Sequence, residues 1–364
     1  MAHGITASDS MAYVGRQPWH NLGVKVEGDA MTSAQALEAT GMDWLVEAVP
    51  VYTFGGPPTT GVDGHGNGSF DEIPGRQALR RADTGTVLGI TGTGYTAVQN
   101  SDSFRFFDEL VGSGDACYHT VGTLFEGRRI WILAYMGGEY ELDNGEQVES
   151  YILLDNSHDG SSALRIRHTP VRVVCANTLQ QATANGGAAF WARHTSGIMD
   201  RVGQARDLLG LNRLHMERFL GQCNEVAAKE FSAGNMDALT RHLLELDPER
   251  GLEEQGGMKA AHAESLYDLF WSGQGNKGET RWDAYNAVTE FVDYERGGRA
   301  LESVGAVDDK AAGRRLDNSW HGEGQKLRGN AWDLLLQTQD VLDATLERAL
   351  VPVKKRVTGM AGGG

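Results

Sequence analysis

Cysteine is scarce in this chain of 364 residues: Cys117, Cys175 and Cys223 stand far apart, with no CxxC pair. So odd and sparse a count argues against a disulfide framework and against a structural zinc site. Long apolar runs are missing too. No stretch approaches the roughly 18 uncharged apolar residues that a membrane span requires, and Met1 to Met11 has neither the basic start nor the apolar core of a secretory signal. The expectation is a cytoplasmic protein without membrane contact. Catalytic signatures are equally thin. HExxH and GxSxG are absent, the eleven histidines are scattered, and the glycine-rich Gly89–Gly94 (GITGTG) lacks the lysine and the strand–turn–helix setting of a phosphate loop.

Positive charge is in deficit, with 33 Lys and Arg against 49 Asp and Glu, a net −16. Such a balance repels nucleic acid at long range and counts against a simple basic-patch binder. The average hides an asymmetry. Between Asn156 and Arg206 stand six arginines (165, 167, 172, 193, 201 and 206) against two acids, Asp159 and Asp200, a local +4 that leaves −20 for the rest. A basic segment on an acidic body is what a confined polyanion groove would need; chance would give it too.

The first half of the chain reads as strands and turns. Trp44 to Phe54 is rich in β-branched and aromatic residues. The glycines and prolines of the following stretch break regular structure. Ala78–Ala82 and Val87–Ile90 form a hairpin turning at Asp83-Thr84-Gly85. Ser101 to Val111 carries a cap and apolar residues at helical spacing. Strands follow at Tyr118–Leu124, Arg128–Met136 and Tyr151–Leu154, with a turn at Glu126-Gly127. A further strand, Ala163–Cys175, contains Pro170, which points to an edge or a bulge. Asn177 to Ala184 is expected to start a helix.

From Ile198 on the period is helical, with Ile198, Val202, Ala205, Leu208 and Leu209 on one face. Later helices are expected at Met236–Leu246, Met258–Trp271, Thr280–Tyr294 and Gln325–Leu350. The whole is α+β: an antiparallel curved sheet backed by helices in residues 1–195, a helical region in 196–350, and a flexible basic and glycine-rich tail in 351–364.

The richest constellation is Asn156-Ser157-His158-Asp159-Gly160-Ser161-Ser162, followed by Arg165, Ile166, Arg167 and His168. Residues two apart on a strand share a face, so Arg165 and Arg167 point together and Leu164 and Ile166 point away. Paired guanidiniums after a turn with exposed N–H groups suit phosphate contacts; arginines paired to local acids on a solvated face are the plainer alternative. Of Arg128 and Arg129, on a neighbouring strand, one can join them. Read as a hydrolase, Ser157 or Ser161 is a nucleophile and His158 its base, yet triad partners normally converge from separate elements. His158, His168 and Asp159, or carboxylates elsewhere, would have to meet in space to hold a metal, and no spacing selects them. Trp131, Trp282, Tyr285 and Cys175 read as core. Trp19 and His20 read as an arm pinned to it, with base stacking the sharper alternative.

Three blocks carry a family resemblance: Tyr13 to Gly23 (YVGRQPWHNLG), Ser157 to Leu179 (SHDGSSALRIRHTPVRVVCANTL) and Thr280 to Arg296 (TRWDAYNAVTEFVDYER). In the same order, spanning roughly residues 11 to 340, they resemble a phage- and plasmid-borne family named only as domain of unknown function 932. The resemblance implies a neighbourhood of phage recombination genes and, at the level of fold, a core similar to single-strand annealing recombinases. Those are curved antiparallel sheets backed by a helix, assembled as rings or filaments around single-stranded DNA. No binding residue of those recombinases transfers to this sequence by motif.

The expectation that follows is a single-stranded-DNA binding and annealing protein for homologous recombination. In this reading it acts by geometry and charge without a covalent step, whether it is an enzyme stays open, and it needs no cofactor, with Mg²⁺ as an optional aid. Its site residues are Arg128, Arg165, Arg167, His168, Arg172 and Asn177, the last donating to phosphate from a helix start. Its partners are single-stranded DNA, further copies of itself joined through the C-terminal helices, and a phage exonuclease; a phage-borne copy works in the host cytoplasm. Two alternatives stay open: a metal-dependent nucleic-acid-processing enzyme, and a non-catalytic host-takeover or anti-defence binding protein.

Overall fold

The computed structural model describes residues 9–15, 23–28, 30–55, 69–111, 117–172, 177–178, 189–202, 212–251, 254–295 and 323–350. In chain order the strands are β1 (Met11–Tyr13), β2 (Val24–Lys25), β3 (Val46–Gly55), β4 (Ser69–Arg81), β5 (Val87–Gly92), β6 (Cys117–Leu124), β7 (Arg129–Glu141), β8 (Gln147–Ser157), β9 (Leu164–Arg172), β10 (Asn177–Thr178) and β11 (Ala189–Ala192). The helices are α1 (Ser33–Thr40), α2 (Asn100–Val111), α3 (Asn212–Ala227), α4 (Ala233–Leu244), α5 (Met258–Ser272), α6 (Arg281–Glu290, continued by a π-helical turn at Phe291–Glu295), α7 (Glu323–Leu335) and α8 (Gln339–Ala349). Among the described residues no helix is long and apolar enough to cross a membrane.

The α+β class is as expected, and the sheet path is open and uncurled. The larger sheet runs β10-β9-β8-β7-β6-β1-β2, with β11 also pairing β9, and β3-β4-β5 form a smaller one. Only β1 and β2 pair in parallel among the described strands. Alternation explains the layering. Ile130, Ile132 and Ala134 of β7, Ile152 and Leu154 of β8, and Leu164 and Ile166 of β9 are fully buried in one core with Phe104 and Phe107 of α2. The opposite face carries Leu124, Trp131 and Leu153 in a smaller cluster.

The β7–β8 hairpin reaches past the sheet. Leu142 and Val148 at its far end join a second core, built from Phe219, Leu239, Leu266, Trp282, Tyr285 and Trp332 of the helices. The Trp282 indole donates to Glu146 Oε2 at 2.9 Å, so the helical part grips the hairpin by both apolar and polar contacts. Trp282 and Tyr285 point inward, as their helical spacing predicts. Ile198 and Val202, in a short helical stretch at 198–202, pack with the sheet core.

Two expected helices need correction. Asn177 does not open a helix: it pairs with Arg172 as part of β10, so the sheet claims its backbone. The single helix expected over Gln325–Leu350 is two, α7 and α8, broken between Leu335 and Gln339. Pro170 behaves as its missing donor requires. β8 borders β9 throughout, but β11 covers residues 164–167 and β10 covers 171–172 on the other side, leaving Pro170 in the gap. Trp19, His20, Cys175 and the 351–364 tail lie outside the described residues.

The smaller sheet lies against the turn that follows β8. A Cβ on Gly89 would come within 2.7 Å of Asp159 Cα and O, both backbone atoms that cannot swing aside. Gly89→Ala is therefore expected to cost about 1–3 kcal/mol by overpacking. Gly94→Ala, where a Cβ meets nothing within 4 Å, should stay within about 0.5 kcal/mol. Paired thermal unfolding curves check this; equal midpoints for both variants would show that the two layers are not held at that spacing.

Candidate functional site

The stretch Asn156 to Ser162 sits where both sheets meet the start of α2. Residues 96 to 100 run into that helix, and alternate positions are moored by polar side chains. His194 Nδ1 lies 3.2 Å from the Thr96 carbonyl, Asn156 Nδ2 donates to the Val98 carbonyl at 3.1 Å, and His158 Nε2 lies 2.8 Å from Asn100 Oδ1. Asn100 donates its own Nδ2 to the Met42 carbonyl, so its Oδ1 must accept and the His158 proton sits on Nε2. His158 is fully buried, edge-on to Trp44. Burial pushes its pKa down to about 3, helped by nearby His194 and opposed by Asp159. Burial lowers His194 too, against the pull of the Thr96 carbonyl.

This geometry overturns the hydrolase reading. The imidazole of His158 faces the interior and is bonded to Asn100, on the side of the pleat away from Ser157. Ser157 Oγ donates instead to Asp159 Oδ1 at 2.6 Å, and the same oxygen accepts from the Ser161 amide at 2.9 Å. Burial raises the Asp159 pKa, but bonds from Ser157 and Ser161 and the charge of Arg129 outweigh it, for a net lowering. The Ser/Asp/Gly sequence is a hydrogen-bonded turn. Among the described residues no group of three or more His, Cys, Asp or Glu is placed to hold a metal ion.

The six residues expected to bind fall into different places. Arg165 and Arg167 share a face of β9, as alternation requires, but their surroundings differ. Arg167 Nη2 lies 3.5 Å from Asp155 Oδ2, both nearly buried, so its charge is already answered. Burial lowers the Arg167 pKa, and Asp155 opposes the shift. Arg165 is half-buried and makes no hydrogen bond or ion pair with any described residue. His168 lies on the other face, in line with Leu164 and Ile166; it is 9% exposed and lies 2.8 Å from Ser150 Oγ. It cannot share a surface with Arg165. Arg172 pairs with Val148 at the far end of β9, while Arg165 pairs with Asp155, a separation of about 23 Å at strand rise. Asn177 pairs with Arg172 there. The expected cleft along β9 is thus divided between its two ends.

Arg128 lies in the turn before β7, not on the strand. Its carbonyl accepts from the His158 amide at 2.7 Å, and its exposed side chain has no partner among the described residues. Arg129, next along, donates to Ser161 Oγ at 3.1 Å. The start of β7, the end of β8, the start of β9 and the end of β11 all meet at this end of the sheet. Arg128, Arg129 and Arg165 therefore gather there.

Sequence reasoning missed the contribution of β11. Trp191 pairs directly with Arg165 and is 63% exposed. Arg193, two residues on, is exposed and without a side-chain partner among the described residues. Arg201 ties this edge down by donating to the Arg193 carbonyl at 3.0 Å and to Thr195 Oγ1 at 2.6 Å. A signal was present in Ala189-Phe190-Trp191-Ala192-Arg193: Phe190 and Ala192 turn to the core, so Trp191 and Arg193 must turn outward.

A family model described as Domain of unknown function (DUF932) matches residues 87–320. No curated protein and no solved structure matches the chain.

Proposed function

This chain belongs to the DUF932 family, and we propose that it binds a sugar-phosphate chain at the arginine-bearing end of its larger sheet, as a single-stranded-DNA binding and annealing protein of phage or plasmid recombination. The observation that carries the reading is the set of Arg128, Arg165 and Arg193. All three lie at one end of the sheet and are unengaged by any described acid, within a molecule of net −16. Guanidiniums left without internal partners are available to phosphate oxygens, which they meet in forked hydrogen bonds. The acidic remainder confines a polyanion to this end, since like charge repels it elsewhere. Arg167 takes a supporting role in this reading, because Asp155 occupies it. The reaction has no covalent step and consumes no nucleotide. Further copies of the chain would line up along the strand.

A salt series with a labelled oligothymidylate tests the reading by fluorescence anisotropy. Wild-type affinity should fall steeply with salt. The double variant Arg165→Glu with Arg193→Glu should lose tenfold or more, and its log–log salt slope should shrink by about 0.7 for each phosphate contact removed. Absence of binding at about 50 mM salt, where counterion release favours it most, would remove the proposal.

A further inference from the structure

We propose that Trp191 is a stacking platform for an unpaired nucleobase, so that this end of the sheet takes single strands in preference to duplex. The inference rests on the phosphate-binding reading above and names what that site selects.

Of the tryptophans among the described residues, Trp44, Trp131, Trp282 and Trp332 are buried at 6% exposure or less. Trp271, 45% exposed, lies edge-on to Phe270 and closes over Gly278, where a Cβ would fall 2.1 Å from its ring. Trp191 is the exception. At 63% exposure its indole meets no ring and no cation among the described residues. It is nonetheless held in place. Phe190 and Ala192 on either side pack into the sheet core, and the backbone is paired to β9 from Ala189 to Ala192. A large flat ring fixed at its base and open at its face loses little freedom when something stacks on it.

The neighbours say what that something is. Arg165 lies directly across the ladder, and Arg193 follows two residues on. One apolar ring between unpaired cations matches the alternation of base and phosphate along a nucleic-acid strand. A protein partner would call for a contiguous apolar patch. The residue paired with Arg167 on this face of β11 is Ala189, which extends no such patch. A base inside a duplex has both faces covered by its neighbours, so only an unpaired base can lie on the indole. Stacking of this kind tolerates any base, as annealing of arbitrary sequence requires.

The test compares wild type, Trp191→Ala and Trp191→Phe on three probes: oligothymidylate, a blunt hairpin duplex and inorganic polyphosphate. Trp191→Ala is expected to weaken oligothymidylate roughly tenfold or more and to leave duplex and polyphosphate within about twofold. Trp191→Phe should retain most of the single-strand affinity, and oligothymidylate should quench a part of the tryptophan fluorescence that polyphosphate leaves untouched. If Trp191→Ala binds all three probes as wild type does, the stacking role fails while the arginine reading stands. If no probe binds at low salt, both fall. A Trp191→Ala variant that changes particle size and not affinity would assign the ring to a protein contact and overturn the inference.

Discussion

Replacing Arg281 with methionine is expected to lower stability by about 3–5 kcal/mol, through the joint between α7 and α8 and not through any ligand. Arg281 is fully buried at the first turn of α6. Its Nη1 donates to the carbonyls of Leu335 at 2.8 Å and Gln337 at 2.7 Å, and its Nη2 to Gln339 Oε1 at 2.6 Å. The last carbonyls of a helix have no partner within it, and a charged donor reaching them is worth more than a neutral one. Methionine keeps much of the volume but leaves three acceptors without their donor, each at about 1–3 kcal/mol. Arg281→Lys should fall between, since a point ammonium cannot span acceptors spread over a fork. Urea midpoints give the totals, and amide exchange across residues 335–342 localises the loss. A loss below about 1 kcal/mol would mean that the joint is held by other contacts.

That joint also shows where the sequence stops being legible. Residues Gln325 to Leu350 contain no proline, and the apolar period continues through Leu335, Leu342 and Leu346. A continuous helix is the natural reading. The break is bridged by a donor 54 to 58 residues earlier in the chain, and the local signs, Thr338 at the cap position and Asp340 in the first turn of α8, are faint beside an unbroken apolar period. The same holds for Asn177, whose Asn-Thr-Leu start looks like a cap until a strand takes its backbone. Where the information is local, the reading holds. The Asp83-Thr84-Gly85 turn, the helix of Ser101 to Val111 and the alternation of Ile130, Ile132 and Ala134 all appear as expected. The arginine pair illustrates both sides. Alternation placed Arg165 and Arg167 on one face, but only the register of β8 against β9 reveals that Asp155 lies beside both and engages Arg167.

His158 is the sharper case, because the sequence invited a chemical role and the fold gives it an acid-sensitive structural one. Its folded pKa of about 3 lies below the ordinary value of 6.5, so the unfolded chain takes up its proton first. Stability from this group is therefore complete above pH 6.5 and is lost as pH falls toward 3. Each pH unit in that window removes about 1.4 kcal/mol, to a total on the order of 4–5 kcal/mol, comparable with the whole margin of many domains. Protonation would place a second proton on Nδ1, a buried nitrogen with no acceptor facing it among the described residues. His194 and the carboxylates titrate over parts of the same range, so the comparison must be with a variant that differs in His158 alone. Glutamine can offer an N–H near the position of Nε2 and preserve the bond to Asn100 without a titrating ring. His158→Gln is expected to be less stable than wild type by about 1–2 kcal/mol near pH 7.5, from lost packing on Trp44, and then to lose less as the pH drops, so that the two curves approach and cross on the way to pH 4. Chemical denaturation at half-unit steps from pH 7.5 to 4 measures both curves; if they run parallel, His158 is not the group that couples folding to acid.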